Sequence, residues 1–490
     1  MPSNSLQSKS DFFKSVNFRY ILAFIIALAI AFGLPPENGL TPSGVRALAV
    51  IVATLFLWMT VNTHWSCILL FLALIMTEVM TPAAVWENSL GHFAPFLLLV
   101  FTLLSYCLSE TGAIDNVAAW FIKRPFVKGK PYAFLAVFLF SNILIGLFMQ
   151  NIAMAIIYMD LAAKVCDKIG VKKGESLYTA IALGVLWGNC ILSVSSPIAK
   201  ALPNVLIGLA YTQLGITITY AQWFAVGIPF AIVMFGVMML CLRIMNPDVT
   251  PLKNLDTEEF SKQTPPLSGR GKVALIAMAF MILLILLPDV FLIMGIFVPL
   301  AEYFIRIGFT APAIIAVVAL CLIRVKGQVV LDYEQAAKNI PMPVIIFIAA
   351  VVLMGVPISD EANGIVVWLG NIFGPLVEGM TPFGIMTVLL VGTLLITNFM
   401  SSAVTMVLFF NIGVAMLAGT TANMAAFALA LGLVSNISFL TPAAALQTPI
   451  FYGPKHITMA NTVKINLLFL LLSFIVAMAF IPLISIVVPM

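Results

Sequence analysis

Three polar spots interrupt an otherwise apolar chain. The first is Gln150-Asn151, at the centre of 148–155. The second is Ser401-Ser402, within 397–405. The third runs over 193–204 and carries Lys200 between Pro197 and Pro203. Gln, Asn and Ser cost free energy in hydrocarbon unless they are satisfied, so they suit chain breaks that face a wet cavity. Such breaks free main-chain N–H groups and point positive helix ends at a bound anion. Ser and Asn also serve as glue between helices. Two prolines around Lys200 must break a helix. From Lys200 to the loop after Ala210 is about ten residues, or about 15 Å, half of a roughly 30 Å hydrocarbon core. A midplane lysine is a functional residue by default, and a lysine snorkelling from a tilted helix end is the plain alternative. All 20 acidic residues fall in loops or near span ends, so the partner of Lys200 is expected to be an anionic substrate. The same absence argues against a proton relay, since His64, His92 and His456 lie near span ends. It argues against an enzyme too, because there is no H-E-x-x-H and no carboxylate pair.

The elements that must hold these spots are membrane helices. The 490 residues are 62% hydrophobic and 9% charged, against about 25% charged in soluble domains. Most of the surface therefore faces lipid, with room for about ten to fourteen spans and no separate globular domain. Alternating strands of a barrel are missing, and a net charge of +4 suggests no nucleic-acid partner. Six scattered cysteines read as small packing residues. The apolar run 20–34 follows Lys9, Lys14 and Arg19 and reads as an uncleaved first helix.

Basic residues fall in six clusters, leaving out only Arg46, Lys200 and Arg306. Beside the N-terminal one, these are Lys123 to Lys130, Lys164 to Lys173, Arg243 to Lys272, Arg324 to Lys338, and Lys455 with Lys464. Placing all six in the cytoplasm puts the N-terminus inside and the C-terminus outside a plasma membrane. Residues 131–163, bounded by basic clusters at both ends, must then form a re-entrant hairpin or two short spans. Residues 382–418, with no basic flank, form a second one from outside. Residues 289–309 either prolong a helix or lie at the interface.

Trp120 and Trp368, Asn151 and Ser402, and Pro203 and Pro449 are each separated by about 250 residues, with opposite charge dressing around them. That predicts an all-α polytopic membrane protein with about 11 transmembrane helices plus two re-entrant hairpins, in inverted-topology repeats. The expected domains are a tail and first helix (1–43), a first repeat (44–245), a cytoplasmic linker (246–271) and a second repeat (272–490).

These hairpins and breaks resemble those of the divalent anion:sodium symporter family, the INDY-like dicarboxylate and citrate carriers. That family carries S-N-T-A-T-A at each tip. Here the first tip reads Gln150-Asn151-Ile152-Ala153-Met154-Ala155 and the second Ser401-Ser402-Ala403-Val404-Thr405. The family's G-[ST]-P-P-N becomes Lys200-Ala201-Leu202-Pro203-Asn204, and its A-T-P-P-N-A becomes Ala444-Ala445-Leu446-Gln447-Thr448-Pro449. The resemblance implies a homodimer, an elevator-type transporter and a dicarboxylate held between the tips. Carried over, the substrate site is Gln150, Asn151, Lys200, Asn204, Ser401, Ser402 and Thr448.

The departures matter. The second Asn is Ser402, both Thr positions are Ile152 and Ala403, and the first break's Gly is Lys200. A lysine there could supply the charge that sodium supplies elsewhere in the family. The expectation is a sodium-independent antiporter of C4/C5 dicarboxylates (2-oxoglutarate, malate, succinate) with no cofactor. The alternative is a sodium-coupled dicarboxylate or citrate symporter.

Overall fold

The computed structural model describes residues 16–61, 65–122, 124, 129–147, 149, 151–198, 200–254, 266–308, 310–442, 444–445, 447–453 and 456–488. Gln150, His64 and the cluster residues Lys9, Lys14, Lys123, Lys128, Lys262 and Lys455 lie outside the described residues. The described residues are helical almost throughout, with one two-residue ribbon (Arg324–Val325 with Gln328–Val329).

In chain order the helices are α1 (Val16–Gly33), α2 (Pro42–Thr60), α3 (Trp65–Met76), α4 (Pro82–Asn88), α5 (Phe93–Glu110), α6 (Ala113–Ile122), α7 (Pro131–Gly146), α8 (Asn151–Lys168), α9 (Ser176–Ser195), α10 (Ala201–Leu214), α11 (Tyr220–Met245), α12 (Gly269–Met294), α13 (Val298–Ile307), α14 (Thr310–Leu322), α15 (Tyr333–Lys338), α16 (Met342–Ser359), α17 (Ile365–Val377), α18 (Pro382–Thr397), α19 (Ser402–Leu417), α20 (Met424–Ser435), α21 (Pro449–Tyr452) and α22 (Met459–Val487). Seven of them (α2, α5, α9, α11, α12, α16 and α22) are long and apolar enough to cross a membrane, and α13 with α14 makes a further pair bent by 81°. Lipid has no water to pair with an open backbone, which is why helices carry the chain and why several of their starts are capped by a side chain. Thr41 accepts the N–H of Gly44 ahead of Pro42, Thr381 that of Gly384 ahead of Pro382, and Thr219 with Gln222 forms a capping box on α11.

One order of elements occurs twice. A span (α5, α16) leads to an amphipathic helix (α6, α17), a helical hairpin (α7–α8, α18–α19), a broken helix (α9–α10, α20–α21) and a long helix (α11, α22). Trp120 sits in α6 and Trp368 in α17. The broken helices form the dry centre: every residue of α9 after Ser176 is buried, as is α20 from Ala425 to Ser435. The outer faces of α12 and α22 expose Ile276, Phe280, Leu471 and Ile475, as lipid-facing helices should. Five of the six cysteines are buried and Cys321 is half-buried, all as free thiols.

The basic clusters meet one another. Arg270 pairs with Glu110 at 2.7 Å and donates to the Val330 carbonyl at 3.2 Å, which gathers the central loop, the end of α5 and the segment around 324–338. The main-chain N–H of Asp248 donates to the Ser176 hydroxyl at 3.3 Å, and Tyr178 hydrogen-bonds His456 at 2.6 Å. These contacts bring the start of α9, just after the 164–173 cluster, against the segments 243–272 and 455–464. The acidic stretch 359–378 instead meets the α1–α2 turn, where Thr41 donates to Ala362 O at 2.9 Å and Asn371 to Asn38 O at 2.9 Å. The segment 289–309 divides between the two expectations: α12 runs on through Pro288 to Met294, and α13 is a separate amphipathic helix.

Candidate substrate site between the hairpin tips

Each hairpin turns inside the protein, where its open backbone needs partners. At the first tip, Asn189 of α9 donates to the Asn151 carbonyl at 2.7 Å. The Asn151 carboxamide donates to Ser193 at 3.1 Å, and the Ser196 hydroxyl donates to Leu147 O. At the second tip, Asn398 donates to the carbonyls of Leu394 and Ile437, each at 2.9 Å. It accepts the N–H groups of Phe439 (3.1 Å) and Leu440 (3.0 Å). The Ser402 N–H donates to Ala444 O at 3.1 Å. Each hairpin is thus bound to the broken helix of its own half.

The breaks are satisfied in the same way. Ser196 after α9 and Lys200 before α10 are extended, and Pro203 falls in the first turn of α10, where its missing N–H costs nothing. Asn204 donates to Pro197 O at 2.6 Å and accepts from the Tyr220 hydroxyl, while Trp223 donates to Val194 O at 2.8 Å. In the second break Thr448 donates to the carbonyls of Pro442 (2.8 Å) and Ala445 (2.7 Å). Trp187 of α9 donates to Asn466 of α22 at 2.9 Å and stacks on Phe469 with centroids 4.5 Å apart, joining the two halves.

A cavity of about 380 Å³ lies between the tips, within the usual range of small-molecule sites. Asn151, Ile152 and Ala153 line it from the first tip, Ser401, Ser402 and Ala403 from the second, Lys200 and Ala201 from the first break, and Gln447 from the second. Helix α5 contributes Thr102, Ser105, Tyr106 and Ser109, α16 contributes Val344 and Phe347, and Asn339 lies just before α16. Among the described residues Lys200 is the one charged member of this lining, is only 7% exposed, and its Nζ has no hydrogen-bond partner. The first residues of α8, α10 and α19 all belong to the lining. Three helix N-termini and a lysine therefore converge with no carboxylate among them, which is an arrangement for an anion.

Of the residues singled out in the sequence, the structure brings Asn151, Lys200, Ser401 and Ser402 to one cavity. Asn204 and Thr448 lie beside it, with their side chains folded back on their own breaks, and Gln150 is outside the described residues. Sequence reasoning passed over Gln447, Ser105, Tyr106 and Asn339. For Gln447 a signal existed, as a lone amide amid alanines in the second break; Ser105 and Tyr106 sit in what reads as an ordinary span.

Comparisons with known proteins place the chain among transporters. A family model described as citrate transporter, CitMHS, matches residues 53–433. A membrane protein of Cupriavidus necator is 24% identical over 247 residues, covering 47% of this chain and 48% of that protein, so the match spans about half the length of that relative. The sodium-dependent dicarboxylate transporter SdcS of Staphylococcus saprophyticus is 21% identical over 471 residues, 93% of this chain and 88% of that one. Among solved structures, the YdaH transporter of Alcanivorax borkumensis covers 81% of this chain and 87% of its own at a TM-score of 0.51 and 14% identity, a likeness of fold alone.

Proposed function

The chain belongs to the citrate transporter family CitMHS, a family of transporters and not of enzymes, and within it we propose a sodium-independent exchanger of C4/C5 dicarboxylates such as malate, succinate and 2-oxoglutarate. The observation that carries this reading is the Nζ of Lys200, which is buried between both hairpin tips with no hydrogen-bond partner and no acidic side chain in the cavity among the described residues. One carboxylate would be held by Asn151 and the start of α8, the other by Ser401 and Ser402, with Lys200 supplying the charge. Asn204 and Thr448 would act by keeping the breaks in shape, and Gln150 would complete the first tip.

A charge fixed to the chain cannot leave with the substrate. The empty carrier would cross with an uncompensated buried lysine, which is costly, whereas reloading with a second dianion removes that cost. Obligatory exchange follows. In this reading the hairpins and broken helices of both repeats, inverted in the plasma membrane, move as an elevator against the remaining spans. The chain works as a homodimer, with its N-terminus cytoplasmic and its C-terminus external.

A second reading has one finding in its favour: the relative SdcS, aligned over most of the chain, is sodium-dependent. There, sodium would be the coupling ion and Lys200 a structural lysine. Lys200→Ala separates the two. Exchange activity collapses if the lysine pairs with the substrate, whereas a sodium-driven carrier survives the change or improves.

A further inference from the structure

Gln447 is fully buried, lines the cavity, and neither its Nε2 nor its Oε1 has a hydrogen-bond partner among the described residues. Its main chain is well provided for: Ile450 N–H donates to the Gln447 carbonyl at 3.1 Å, and Thr448 ties the turn through Pro442 O and Ala445 O. The backbone around Gln447 thus holds together without the carboxamide. Buried side-chain polar atoms are nearly always paired, so an amide with both ends open points to something that enters the cavity.

Building on the proposed dicarboxylate site, we infer that Gln447 reads a hydroxyl group on the substrate. A fully ionised dicarboxylate offers acceptors only. Lys200, Ser401 and Ser402 can supply donors to its oxygens, and so can Nε2 of Gln447. The Oε1 atom is different: it is an acceptor that no donor among the described residues reaches, and a bare carboxylate or a methylene carbon has no donor to give it. A hydroxyl on the carbon chain between the carboxylates supplies the missing donor. A protonated carboxyl would supply one too, but the Lys200 charge in the same cavity favours the ionised form. The preferred substrate class is therefore a hydroxylated dicarboxylate, and a site built around a buried hydrogen bond to a hydroxyl rejects the analogue that lacks it.

The test uses purified full-length protein in proteoliposomes at pH 7.5, where each probe is a dianion. Unlabelled malate, succinate and 2-methylsuccinate, the last placing a methyl where malate has its hydroxyl, compete against labelled malate. Malate should compete about tenfold or more better than either analogue, one hydrogen bond's worth of discrimination. In Gln447→Met, which keeps the length and apolar shape but loses the amide, that ratio should fall toward one. Equal competition in the wild-type protein overturns the inference and leaves the dicarboxylate site standing, whatever the variant does. An undiminished ratio in Gln447→Met overturns the assignment to this residue. Failure of all three compounds to compete overturns both this inference and the reading it rests on.

Discussion

The carboxamide of Asn189 donates to the main-chain carbonyl of Asn151 across 2.7 Å, and both residues are buried. One amide in the middle of α9 thereby sets where the first hairpin turns and where α8 starts. Asn151 in turn donates to Ser193, whose hydroxyl donates to the Asn189 carbonyl at 2.7 Å. Helix α9 and the tip are closed into one small network, so the geometry of the tip is set by a helix that itself lines no part of the cavity.

Asn189→Ala removes the donor and leaves a buried carbonyl short of a partner. A loss of about 1–3 kcal/mol is expected, visible as a lower melting temperature in detergent. Exchange should fall with it, because α8 no longer starts in the right place. Unchanged transport in a destabilised protein would separate the tip's position from its function.

Asn398→Ala should be worse. Its side chain makes four hydrogen bonds and ties the second tip to the chain at Ile437, Phe439 and Leu440. Losing a buried network of this kind costs more than losing one pair. Expression of monodisperse protein, compared side by side with Asn189→Ala, is the readout.

Gly227→Ala tests the packing behind the first break. A Cβ there would stand 2.6 Å from the Ser195 carbonyl oxygen and 2.9 Å from its Cα. These are main-chain atoms at the point where α9 ends, so they cannot rotate away as a side-chain end could. The whole break would have to shift, and with it Lys200. Transport should drop by at least about tenfold, since a displacement of about 1 Å in a positioned group can cost a hundredfold. Gly236→Ala, on the same helix with open space around it, is the control expected to behave as wild type.

His456 gives the protein a pH response at the end where basic clusters gather. Burial first, and Lys173 second, hold its imidazole below the ordinary value near 6.5. The native state therefore keeps His456 neutral where the unfolded chain has begun to protonate it. Stability is intact above about pH 6.5 and declines as the pH falls below it, because the unfolded state binds the extra proton. Melting curves between pH 8 and 5 should show this slope, and His456→Gln should flatten it.

Much of this was legible in the sequence for a physical reason. In a chain made of apolar runs, a Gln-Asn, a Ser-Ser or a Pro-x-x-Lys is conspicuous, because lipid makes such residues costly unless they are satisfied, as they can be at breaks. The hairpins at α7–α8 and α18–α19 and the broken helix around Lys200 could be read that way. What could not be read depends on packing. Ser105, Tyr106 and Phe347 belong to helices that look like ordinary spans, and only the fold turns them toward the cavity. Asn204 and Thr448 match a family motif by type, yet no sequence rule says that their side chains turn back onto Pro197 and Pro442. The stretch 289–309 reads equally as a prolonged helix or an interfacial segment; α12 continues past Pro288 to Met294, since a proline inside a long membrane helix is tolerated when the freed carbonyl finds other partners.

The central claim is that a fixed lysine charge makes exchange obligatory. Labelled succinate uptake should therefore be measured in proteoliposomes that are empty or preloaded with unlabelled dicarboxylate, each with and without sodium. The account predicts uptake only into preloaded vesicles, with or without sodium. Rapid uptake into empty vesicles that follows the sodium gradient would contradict it and restore sodium as the coupling ion.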